Sequence, residues 1–101
     1  MDIVNIDSVL ADFPQNRTSE RVAGIDGYDV RLVKTEGDVP WHQHDAQEMH
    51  LVLDGALTLV FRDGNEITLR KGDINVIPAG IEHCAHATPG TNVIVFEPSQ
   101  Q

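Results

Sequence analysis

The chain has 101 residues, 41% of them hydrophobic, with 7 basic and 16 acidic side chains and a formal net charge of −9. That length fits one domain that buries roughly two-thirds of its unfolded surface, so a second copy would be a natural supplement to its core. A charge this negative argues against a nucleic-acid partner, whose phosphates are held by Lys and Arg.

Cys84 is the sole cysteine, which excludes an internal disulfide and an exported disulfide scaffold. No apolar run reaches the ~18 residues that cross a bilayer. The opening Met-Asp-Ile-Val-Asn-Ile-Asp lacks the basic and long apolar regions of a signal peptide. The expectation is a cytoplasmic protein with neither a membrane nor a nucleic acid as partner.

Residues 1–17 read as an N-terminal arm or short helix. Asp7 or Ser8 is placed to cap a helix through Val9, Leu10 and Phe13, whose i, i+3, i+4 spacing gives one apolar face, and Pro14 would end it. Gln15 to Ser19 is polar and loop-like. From residue 20 the pattern changes to short runs rich in β-branched residues, expected as strands. They are Tyr28 to Thr35 (ending at Glu36-Gly37-Asp38), Glu48 to Leu53, Ala56 to Arg62, Glu66 to Arg70, Asp73 to Ile77, Glu82 to Ala87 and Thr91 to Phe96. Turn chemistry separates them at Asp54-Gly55, Asp63-Gly64-Asn65, Lys71-Gly72, Pro78-Ala79-Gly80 and Pro89-Gly90. Seven or eight such strands without a long helix imply an all-β sandwich or barrel over residues 18–97, within a single domain spanning 1–101.

Trp41 to Gly55 is the chemically dense stretch, with three of the five histidines, the only Trp and a carboxylate. On a strand, His42 and His44 project from one face, and Glu48 opens the next strand towards the same space. Two imidazoles and a carboxylate suit a divalent transition metal, Fe, Mn, Ni, Co or Zn.

The second half adds Gly72, Pro78, Gly80 and His83 at fixed spacing. Together the two halves resemble the cupin superfamily, in its small RmlC-like jelly-roll form. The first cupin motif, G-x5-H-x-H-x3/4-E-x6-G, is met at Gly37, His42, His44, Glu48 and Gly55, with a first gap of four residues instead of five. The second, G-x5-P-x-G-x2-H-x3-N, is met at Gly72, Pro78, Gly80 and His83, with Ala87 in the final Asn position.

The resemblance covers residues 20–97. It implies a cupin jelly-roll β-barrel (a double-stranded β-helix) with His42, His44, Glu48 and His83 around one divalent metal. It also implies a small-molecule substrate or ligand, and small cupins commonly pair, so a homodimer is expected.

Strand alternation aims His50 inward beside that metal, as a candidate catalytic residue for proton transfer, substrate contact or support of a ligand. Cys84 and His86 have the opposite parity to His83 and should face away, Cys84 as a small buried apolar residue. Trp41 either walls the pocket or packs beneath it, and Asp45 and Gln47 are solvated turn residues. Either Arg31 or Lys34 points inward, depending on which parity is buried, and an inward Arg would favour an anionic substrate.

Three activities are compatible with the ligand set. The leading one is a metal-dependent dioxygenase acting on a small oxygenated molecule. Next is an isomerase or lyase in which His50 moves a proton, and the third is a non-catalytic ligand-binding or sensing cupin. No helix-turn-helix region accompanies the strands, which disfavours a sugar-sensing transcription factor.

Overall fold

A computed structural model describes residues 2–13 and 18–99. Its elements are α1 (Ile6–Ala11), β1 (Ser19–Ile25), β2 (Tyr28–His42), β3 (Glu48–Asp54), β4 (Ala56–Phe61), β5 (Glu66–Arg70), β6 (Ile74–Ile77) and β7 (His83–Pro98). All pairings are antiparallel. The fold is an all-β jelly roll.

Two long strands make it so. The first half of β2 and the last half of β7 lie in the order β1-β2-β7-β3-β6, while the first half of β7 pairs with β4, which pairs with β5. Both strands bend at the same level, where the β2–β7 register shifts between Thr35 and Gly37, opposite Thr91 and Ala87. Gly37 (φ +76°) and Gly90 (φ +78°) supply the backbone freedom for those bends. The turns expected at Glu36-Gly37-Asp38 and Pro89-Gly90 are therefore bends inside continuous strands. Turn residues here carry each strand from one sheet into the other, and Glu82–Ala87 and Thr91–Phe96 become one element.

Period-two alternation divides the side chains between two clusters. Val52, Leu57, Leu59, Leu69, Ile77 and Val93 point between the sheets into the main core. Leu32 and Ile94 point outward and are covered by Phe13, with Ile6, Val9 and Leu10 of α1 packed beside it. A six-residue helix is not stable alone, so this packing holds it in place. Its N-cap is Asn5, whose Oδ1 accepts from Ser8 N at 3.0 Å, in place of the expected Asp7 or Ser8. The expectation for Pro14 falls outside the described residues. Lys34 has the outward parity, with Nζ 5.0 Å from the Phe13 ring centre, whereas Arg31 shares the inward parity of Val33 and Thr35.

Candidate metal centre

Four elements bring the site together. His42 ends β2 directly opposite His83 at the start of β7. His44 lies in the loop that follows β2, and its carbonyl accepts from Gly80 N at 2.8 Å. That bond ties the loop carrying His44 to the Pro78–Gly80 turn that leads into His83. Glu48 opens β3 and is 4% exposed, with His50 two residues on and 7% exposed. Alternation places both inside, as expected from the sequence.

Backbone carbonyls fix two of the imidazoles. His42 Nδ1 is 2.9 Å from Pro40 O, and His83 Nδ1 is 2.9 Å from Ile81 O. A carbonyl only accepts, so each Nδ1 carries the proton and each Nε2 presents a lone pair. The two rings lie 4.2 Å apart, centre to centre. Ligand atoms of His42, His44 and Glu48 all lie within 4.8 Å of one another. His83 is outside that mutually close group, but its Nε2 is 3.6 Å from Glu48 Oε1.

Glu48 is the hub of the contacts. Its Oε1 accepts a hydrogen bond from His50 Nε2 at 2.9 Å, and its Oε2 is 2.7 Å from His44 Nε2. That second contact is short but not aligned as a hydrogen bond, so Oε2 is left without a hydrogen-bond partner among the described residues. His83 Nε2 is likewise buried without a partner. Leaving such atoms unpaired is costly, and a cation between them satisfies both.

The electrostatics agree with that fit. Burial pushes the Glu48 carboxyl up, but the His50 hydrogen bond and the electrostatic pull of the His50, His44 and His83 rings outweigh it and hold the group below its usual range. Burial lowers His83, against the pull of the Ile81 carbonyl towards the charged form. A neutral imidazole beside an ionised carboxylate is the protonation state that ligates a metal.

Behind the cluster a cavity of about 150 Å³ runs between the sheets, lined by His42, Glu48, His50 and His83 at its polar part. Sequence reasoning missed Glu97, which also lines it and brings Oε2 to 3.8 Å from His44 Nε2. The signal was available in parity. Counting by twos from His83 along an unbroken β7 passes Ala85, Ala87, Pro89, Thr91, Val93 and Val95 and arrives at Glu97. The turn expected at Pro89-Gly90 interrupted that count.

The family model described as Cupin domain matches residues 28–97. The chain belongs to the cupin family. A cupin-2 domain containing protein from Shewanella frigidimarina NCIMB 400 matches at TM-score 0.87 and 35% identity, over 96% of this cupin and 95% of that chain. Protein NMB1881 from Neisseria meningitidis matches at TM-score 0.84 and 26% identity, over 97% and 100%. The Bacillus subtilis (strain 168) protein YdbB is 28% identical over 80 residues, 78% of this cupin and 71% of that protein.

The other expected positions divide cleanly. His86 faces away and is exposed, with Nδ1 2.9 Å from Asp38 Oδ1. Cys84 also faces away but is half-buried, less enclosed than expected. Asp45 and Gln47 are exposed. Trp41 neither walls the cavity nor packs beneath it: it is exposed, and the Arg62 guanidinium stacks 3.8 Å from its ring centre. Arg31 is inward by parity yet is engaged by carboxylates, Asp29 Oδ2 at 3.5 Å and Glu97 Oε1 at 3.3 Å. The anion-binding role expected of an inward Arg therefore does not follow. No helix among the described residues is long and apolar enough to cross a membrane.

Proposed function

We propose that this cupin binds one divalent transition-metal ion through His42, His44, Glu48 and His83 and acts as a metalloenzyme on a small oxygenated organic molecule. One observation carries the reading. Polar atoms of Glu48 and His83 are buried without hydrogen-bond partners, among the described residues, at a cluster beside a cavity whose other walls are mostly apolar. A site that served structure alone would need no cavity beside it.

Bound there, the metal would supply Lewis acidity and, if iron, a redox centre able to bring O₂ and substrate together. The protein's own groups do the rest. Pro40 O and Ile81 O hold two imidazoles in the ligating tautomer. His50 donates to Glu48 through Nε2, and its Nδ1 has no hydrogen-bond partner among the described residues. His50 lines the cavity beside Glu48, and in this reading its ring takes a proton from a substrate and returns it. The apolar walls exclude water from the reacting groups.

The proposed chemistry is dioxygenase first. The His50–Glu48 pair favours a second reading, proton transfer in an isomerase or lyase. Protein loaded with Fe(II) and mixed with a panel of small enols, diols and hydroxy-ketones separates them. Substrate-dependent O₂ uptake supports the oxygenase. Rearranged or cleaved product without O₂ uptake assigns the isomerase or lyase, and binding with no turnover under either condition returns the non-catalytic, ligand-binding alternative.

A further inference from the structure

His42 faces the cavity because β2 is irregular just before it. Val33, Thr35 and Val39 line the cavity at even spacings, a parity that would carry Trp41, not His42, to the inside. Between the pairs Val39–Ala85 and His42–His83 the register shifts, so two residues of β2, Pro40 and Trp41, stand opposite one of β7, Cys84. That is a β-bulge. It turns Trp41 out and His42 in, and a slip of one residue would exchange them. The bulged Pro40 also supplies the carbonyl that fixes His42 Nδ1.

The ladder itself does little to hold this bulge. It lies at the end of β2, where strands open most easily, and Pro40 has no N–H to donate. On the outside, however, three side chains meet across the ends of β2, β7 and β4. The Arg62 guanidinium stacks 3.8 Å from the centre of the Trp41 ring, and its Nε donates to Glu82 Oε1 at 2.6 Å. Trp41 immediately precedes His42, Glu82 immediately precedes His83, and Arg62 follows Phe61, which pairs with His83. These outer contacts join the same strand ends whose inner faces carry the two imidazoles, 4.2 Å apart centre to centre.

Resting on the metal-site reading above, we infer that Arg62 is a positioning residue for the metal. It holds Trp41 outside and so fixes the bulge that presents His42 beside His83. Arg62 does not line the cavity, and its contacts are with Trp41 and Glu82. Charge and position therefore predict opposite results of removing it. By Coulomb's law alone, losing a cation near the site should tighten the binding of a metal ion. Losing the register of His42 should weaken it.

Zinc affinity is measured by competition with a chromophoric chelator at about pH 8, where the imidazoles are neutral. Well below the melting temperature a modest loss of global stability leaves nearly all the protein folded, so it does not by itself change the affinity. Arg62→Ala is expected to weaken zinc about fivefold, since an exposed cation–π contact and a surface ion pair are each worth up to about fivefold. Trp41→Leu changes no charge and should weaken zinc about threefold; it also serves should Arg62→Ala not fold. Arg62→Lys keeps the charge without the flat stacking surface and should recover part of the loss. Arg70→Ala, at an exposed arginine elsewhere, should bind zinc no more weakly than wild type. In metal-free protein the nuclear Overhauser effect between the His42 and His83 rings should weaken in Arg62→Ala.

Zinc binding in Arg62→Ala as tight as wild type, or tighter, would overturn the inference. So would a ring-to-ring effect that survives the substitution unchanged. Failure of the wild-type protein to take up zinc would instead overturn the metal reading, and the ring-to-ring measurement on metal-free protein would still decide this one.

Discussion

Gly55 tests whether the turn between β3 and β4 is built as described. The residue has φ +77°, and a Cβ added there would meet Thr91, including its backbone Cα at 2.8 Å. Thr91 has little room to give. It is 1% exposed, its hydroxyl accepts from Ala56 N at 3.2 Å and donates to Thr88 O at 2.6 Å, and it sits beside the bend in β7. Leu57 and Val93, which wall the cavity, follow from these two anchored positions.

Gly55→Ala therefore carries two costs. A non-glycine residue in the left-handed region costs about 1–2 kcal/mol. Forcing extra volume against a packed neighbour adds about 1–3 kcal/mol. Gly64→Ala is the internal control, because Gly64 has φ +88° but nothing within 4 Å of an added Cβ. It should show the first cost alone. For a chain of this size, 1 kcal/mol moves Tm by about 4–8 °C, so Gly55→Ala should melt at least about 4 °C below Gly64→Ala. Thermal melts and urea midpoints of the two variants measure the difference. Equal destabilisation would mean that the turn does not lie against Thr91 and that the reasoning about this cavity wall is wrong.

Leu59 is 0% exposed in the main core, so Leu59→Ala should cost about 2–5 kcal/mol in a urea titration. Zinc at a hundred times its Kd should stabilise the protein by about 2.7 kcal/mol. His83→Ala should abolish that rise in Tm, and His86→Ala, which removes only the contact to Asp38, should keep it. Asp29 is held below the usual carboxylate range by its hydrogen bonds from Arg21 and Ser99. A carboxyl whose folded pKa is depressed stabilises above its unfolded pKa and loses that contribution as pH falls through the folded value. Wild type should thus exceed Asp29→Asn in urea midpoint at pH 7, with the gap closing towards pH 3 and below.

The fold was legible in residues 18–97 because strand alternation and turn chemistry both repeat at short intervals. Alternation along β4 puts Leu57, Leu59 and Phe61 together on the core side, and Glu66–Arg70 has the expected bounds. What alternation could not reveal was that Gly37 and Gly90 bend their strands instead of ending them. A glycine at positive φ serves a turn and a sheet-crossing bend equally, and the choice depends on which strand lies opposite. Losing the continuity of β7 hid Glu97 from the sequence reading.

The inward placement of Glu48, His50 and His83 was legible for the converse reason, since each lies within an unbroken stretch of parity from a recognisable turn. Trp41 was not, because an exposed aromatic stacked on Arg62 depends on a partner twenty-one residues away. Arg31 taught a similar lesson. Parity gave its direction, but its chemistry is set by Asp29 and Glu97, one near in sequence and one distant.

The central claim is that His42, His44, Glu48 and His83 hold a metal, and the direct measurement is stoichiometry. Chelator-stripped protein is equilibrated separately with Mn, Fe, Ni, Co and Zn, freed of unbound ion, and assayed for metal and protein together. Close to one ion per chain is expected for at least one metal, lost in His42→Ala with the fold retained. Wild-type protein that stays metal-free with all five would contradict it.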